Sequence, residues 1–241
     1  VVAHELGHWL NVLYGTGNGS DGMGEGNADV FAMYTYETPL IGQGFFTSGG
    51  NIRSGLNTRQ YCGDGNGGCY GGVHADGEVW MGAAWKIRRN LKNTLGATLG
   101  AQTANSLFIG WMNSYNQSTI TSLIETQWLT LDDDDGNINN GTPNYPNIDD
   151  GFLEQGFPGF DLVFVDFANV TDLGDQASGA GPFMVSSDVT ALFNPPVVSA
   201  DMFYRINGGS YTQVAMSNTA GNTYTASIPS FGATNGFVDW Y

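Results

Sequence analysis

The residues able to do chemistry in this chain are few and concentrated. All three histidines fall in two short segments: His4 and His8 in HELGH, and His74 in YGGVHADGE. Residues four apart on a helix lie on one face, so His4 and His8 can aim two imidazole nitrogens at one ion. Glu5, between them, stands where a general base could act on water beside that ion.

Catalytic zinc takes three protein ligands and leaves a fourth position open, so a third donor is required. The extended pattern HExxHxxGxxH is excluded, because Asn11 and Tyr14 stand where it has glycine and histidine. The next candidate is an acid on a neighbouring helix, and GMGEGNAD offers Glu25. Asp29, one turn further on, can accept the second ring N–H of a ligating histidine and so set its tautomer. The competing explanation of both acids is a helix N-terminus that favours negative charge.

HELGH, then GMGEGNADVFA, then GGVHADGEVW resembles the gluzincin zinc peptidases, most closely the fungalysin-like branch with its thermolysin-like relatives. The resemblance spans roughly residues 1–95. It implies Zn²⁺ on His4, His8 and Glu25, with Glu5 as general base and Asp29 orienting His4. It also implies that His74 donates to the oxyanion, and that Arg53 grips a substrate carbonyl, unless Arg53 forms a surface ion pair instead. The carboxylate that orients the oxyanion histidine in the family has no counterpart at the family's spacing; Asp64 and Asp76 are the candidates. No tyrosine stands just before Glu25, another departure from the thermolysin pattern.

A second cluster of oxygen donors lies in LDDDDGNINNGTPN, where Asp133, Asp135, Asn137 and Asn139 alternate as in calcium loops. Leu131 at the first ligand position and the lack of a closing glutamate depart from the EF-hand, so Ca²⁺ competes with a solvated acidic loop.

These groups need elements to hold them. Apolar periodicity predicts helices over VVAHELGHWLNVLY, EGNADVFAMYTYE and 73–95, then about 101–117 and 118–130, and a short one at NIDDGFLEQG. GTGNGSDGMG reads as a loop, and 40–72 as irregular. Lys86, Arg88, Arg89 and Lys92 read as a solvated face near a helix C-terminus. From about Phe160 the texture alternates: DLVFVDFANV, MFYRINGGSYTQVAM, GNTYTASIP and NGFVDWY read as strands, with Asn207-Gly208-Gly209 as a hairpin turn. The expected fold is α+β. Residues 1–158 form the mainly helical C-terminal half of a zincin-like catalytic domain, and 159–241 a partial immunoglobulin- or fibronectin-like β-sandwich.

Composition narrows the function classes. Seven basic residues against 23 acidic ones leave a formal charge of -16, which repels nucleic acid and anionic membrane. Cys62 and Cys69 flank CGDGNGGC and cannot complete a four-thiolate site, so a small disulfide and a secreted protein are expected. No apolar run is long enough to span a membrane. The chain opens inside a motif-bearing helix, so an internal piece of a longer secreted polypeptide is expected, without the N-terminal subdomain that walls the substrate groove in the family and hence weakly active alone. The expected function is zinc-dependent endopeptidase on a peptide or protein substrate. The alternatives are a non-catalytic surface or adhesion protein with a relic centre, and a metallo-aminopeptidase.

Overall fold

The computed structural model describes residues 1–15, 21–177, 179–192, 196–232 and 236–241. Residues 16–20 of the expected GTGNGSDGMG loop and Asn235 of the expected NGFVDWY strand lie outside them. The chain divides into two compact units, Val1–Asp161 and Leu162–Tyr241. The first is mainly helical and the second is built from strands, so the chain is α+β. The boundary falls three residues later than expected because Phe160 belongs to the helical unit. Its N–H donates to Asp149 Oδ1 (2.9 Å) and its carbonyl accepts from the Tyr145 hydroxyl (2.5 Å).

In the first unit the helices are α1 (Val2–Leu13), α2 (Met23–Tyr36), α3 (Val73–Leu95), α4 (Ala97–Ser114), α5 (Leu123–Asp132) and α6 (Tyr145–Leu153). A short antiparallel ribbon, β1 (Leu40–Ile41) with β2 (Arg53–Ser54), lies in the stretch expected to be irregular. Helix α3 is the axis of the unit and packs on α2, α4 and α6. Its buried face, including Trp80, Met81, Ala84, Ile87 and Leu91, recurs at helical spacing. Trp80 meets Trp111 of α4 and Trp128 of α5 at ring centroids 5.2 and 5.6 Å apart. The Trp111 indole N–H donates to Gln127 Oε1 (2.7 Å), so this large apolar surface is buried without an orphaned donor at that ring.

Half of the basic run on α3 is not a solvated face: Lys86 and Arg88 are buried, whereas Arg89 and Lys92 are partly exposed. Arg88 is only 1% exposed: its guanidinium lies over the Tyr34 ring and donates to Asn105 Oδ1 (2.6 Å) and Glu37 Oε1 (3.2 Å). The Lys86 ammonium donates to Gln155 Oε1 (2.5 Å). Long aliphatic stems let both side chains line the core while their charged ends reach acceptors on α2, α4 and the segment after α6.

The second unit holds β3 (Val165–Ala168), β4 (Phe183–Ala191), β5 (Ala200–Ile206), β6 (Thr212–Ala220), β7 (Thr223–Ile228) and β8 (Val238–Trp240), all antiparallel in the order β3-β4-β7-β6-β5-β8. The Asn207 and Gly208 turn joins β5 to β6 with positive φ at both residues, as a type I′ turn requires. Strand β6 serves two neighbours: Thr212–Met216 pair with β5, and the segment after Met216 pairs with β7 across an irregularity at Asn218/Ala220. The small core gathers Val185, Met202, Tyr204, Ala226 and Ile228 from β4, β5 and β7. Strand β4 was not among those expected. Its inward positions are Val185, Ser187 and Val189, and the buried serine dilutes the apolar alternation that marks a strand.

Candidate metal centre

Helix α1 carries His4 and His8 and lies directly on α2. Gly7 makes that approach possible, since a Cβ there would come within 2.6 Å of the Ala28 Cα. Behind it, the Asn27 amide donates to Asn11 Oδ1 (2.8 Å), and the Trp80 indole N–H donates to Asn27 Oδ1 (2.8 Å). Both asparagines are fully buried, so this chain of bonds fixes the axial register of α1, α2 and α3.

That register brings three side chains to one point. His4 Nε2 lies 3.1 Å from His8 Nε2 and 3.3 Å from Glu25 Oε2, and His8 Nε2 lies 3.5 Å from Glu25 Oε1. Donors bound tetrahedrally at zinc distances of about 2.0–2.1 Å stand about 3.3–3.4 Å apart, so the separations, two of which reach different oxygens of Glu25, are close to those such a site needs. His4 Nδ1 is 2.7 Å from Asp29 Oδ1, which places its proton on Nδ1 and its lone pair on Nε2, toward Glu25. Glu25 Oε2 is buried and has no hydrogen-bond donor among the described residues, although ring nitrogens of His4 and His74 lie within 3.3 Å. Proximity without a directed N–H leaves that oxygen unsatisfied, and a cation at the centre would satisfy it. Two imidazoles and one carboxylate suit zinc among the common metals.

Asp29 is fully buried on α2, and Arg53 closes over it. The guanidinium Nε and Nη2 donate to Asp29 Oδ2 (2.5 Å) and Oδ1 (2.9 Å). The pairing of Ile41 with Arg53 in the β1–β2 ribbon holds the arginine backbone in place. Burial alone would raise the Asp29 pKa, but the hydrogen bonds from His4 and Arg53 outweigh it and hold the carboxyl below its ordinary value. Arg53 thus forms a buried ion pair rather than a surface one, because a buried carboxylate with one histidine partner still needs a counter-charge.

His74 enters from the first turn of α3, with Nε2 3.2 Å from Glu25 Oε2. Asp76 caps that turn, accepting the N–H groups of Gly72 (3.0 Å) and Tyr70. Asp64 accepts from Tyr61 and from Ser122 N (2.8 Å). Both candidates for orienting His74 are thus engaged elsewhere. Helices α2 and α3 touch backbone to backbone, as a Cβ on Gly77 would lie 2.8 Å from both Gly22 O and Gly26 N. In Gly77→Ala the gain in helix propensity is overridden by overpacking, with an expected stability loss of about 2 kcal/mol. Thermal unfolding at or above the wild-type midpoint would show that the contact is slack.

Glu5 is exposed, and so is an apolar row of Val2, Leu6, Trp9 and Leu13 along α1. Glu5 and the half-buried His8 thus border an open face, while His4 is buried. The acidic loop shares one feature with the candidate centre: Asp133 Oδ1, like Glu25 Oε2, is buried without a hydrogen-bond partner among the described residues. Asp133, Asp134 and Asp135 stand close together, but Asp133 Oδ2 accepts from Gly136 N (2.7 Å), Asp135 Oδ1 from Asn137 N (2.9 Å) and Asn137 Oδ1 from Asn139 N (3.3 Å). Much of the oxygen array expected for calcium is turned onto its own loop backbone, and it leads into a 3-10 turn at Ile138–Asn140.

The residues that sequence reasoning missed are positioning ones: Gly7, Asn11, Asn27 and Gly77. Glycine inside a helical pattern was the available signal, since it is unfavourable there unless something packs against it. Comparison of the chain with protein-family models, with curated proteins and with solved structures gave no match.

Proposed function

We propose that the chain carries the centre of a secreted zinc endopeptidase of gluzincin type, in a zincin-like helical unit followed by an immunoglobulin- or fibronectin-like β unit. The observation that supports this most is the convergence of His4, His8 and Glu25 at zinc-ligand spacing around a buried oxygen with no donor. When bound, zinc supplies Lewis-acid polarisation of a carbonyl and makes water more acidic. Glu5 takes the proton from the attacking water and delivers it to the leaving amine. His74, beside the same carboxylate, donates to the oxygen on which negative charge develops. Asp29 holds His4 in the tautomer that presents Nε2, and Arg53 holds Asp29 ionised.

The disulfide between Cys62 and Cys69 (Cα–Cα 5.7 Å) suits an oxidising compartment. Among the described residues no helix is long and apolar enough to cross a membrane. The deciding measurement is metal content by mass spectrometry. Wild type should hold one zinc per chain, and Glu25→Ala should bind it about 10²-fold more weakly, since one of three protein ligands is gone. Undiminished zinc in Glu25→Ala would remove Glu25 from the ligand set and end this reading.

A further inference from the structure

Glu125, on α5, is 1% exposed, and neither of its carboxylate oxygens has a hydrogen-bond partner among the described residues. It faces Asp149 of α6, close enough for the two carboxyls to share a proton. Asp149 Oδ1 already accepts from Phe160 N, and the nearby Tyr145 hydroxyl donates to the Phe160 carbonyl. Burial first, and then Asp149, push the Glu125 carboxyl up to about 9. Burial and the acids Asp149, Glu125 and Asp161 push the Tyr145 phenol up to about 12. No lysine or arginine of the described residues is among the groups acting on either.

A buried carboxylate without a counter-charge must take up a proton or a cation. One proton shared with Asp149 serves one Glu125 oxygen and leaves the other orphaned. A hard divalent cation bound by both Glu125 oxygens and by Asp149 serves both and neutralises the pair. We propose that Glu125 and Asp149 form a binding site for a hard divalent cation, calcium by its ligand chemistry, clasping α5 to α6. Water completes the coordination shell, as is usual for such ions. This site shares no residue with the His4/His8/Glu25 centre and does not depend on the zinc reading.

The test uses the full chain as purified, stripped of calcium with a calcium-selective chelator. Saturating calcium should raise the melting temperature by about 5 °C. The rise should vanish in Glu125→Gln and persist in Asp135→Asn, which alters only the acidic loop. Should Glu125→Gln fail to fold, titration calorimetry on Asp149→Asn decides, with at least tenfold weaker calcium binding expected. An absent calcium response in wild type, an undiminished one in Glu125→Gln, or unchanged affinity in Asp149→Asn would overturn the proposal. So would an infrared band of protonated Glu125 persisting at neutral pH in saturating calcium.

Discussion

Replacing Glu5 by glutamine should lower peptide hydrolysis by the zinc-loaded protein about 10³-fold while leaving its zinc content unchanged. Glutamine keeps the size and polarity of the side chain but cannot accept the proton of the attacking water. Glu5 is exposed on α1, whereas the proposed ligands point into the contact with α2, so the substitution removes the base without opening the metal centre. Initial rates on an internally quenched peptide, with zinc measured on the same samples, separate the two functions. Equal rates in both proteins would remove Glu5 from the mechanism. A parallel loss of zinc would make it a structural residue instead.

The second large effect concerns Asp29. Its side chain is 1% exposed and that of Arg53 12%, so Asp29→Ala strands a buried guanidinium and frees His4 Nδ1. Removing one partner of such a pair costs about 3–5 kcal/mol in stability. Loss of the carboxylate behind a ligating histidine should also weaken zinc 10- to 100-fold, taking that range as an order of magnitude. The acid dependence follows from the depressed folded-state pKa. The stabilisation from Asp29 is complete above its ordinary value of 3.8 and is lost as the pH falls below that, through the folded-state value. Wild type should therefore lose stability more steeply than Asp29→Ala as the pH falls below about 4. Urea midpoints measured across that range test it, and parallel curves for the two proteins would show that the ion pair contributes nothing.

The helices α1, α2 and α3 and the β5–β6 hairpin were legible because each carries a complete local signal. Periodic apolar residues mark the helices, and Asn207-Gly208 marks a turn that few other residues allow. Helices α4 and α5 were displaced by several residues. Helix α4 starts just after Gly96, four residues before the expected start, and α5 begins only after Ser122, five residues after its own. Strand β4 went unseen because a buried serine broke its pattern. In the candidate site, residue type and spacing sufficed to bring His4, His8, Glu25 and Asp29 together. Arg53 was ambiguous, because a cation in a loop can face substrate or a buried acid with equal chemical sense.

From the chain alone one can read which atoms are suited to hold a metal, since imidazole and carboxylate chemistry and helical periodicity are local properties. Only the folded chain decides which atoms meet. The Gly7–Ala28 and Gly77–Gly26 contacts set how closely three helices approach, and the Asn11–Asn27–Trp80 bonds set their register. Arg53 turns to Asp29, and Glu125 is left facing Asp149, because burial makes an uncompensated charge costly, and burial belongs to the packed molecule rather than to any segment of it.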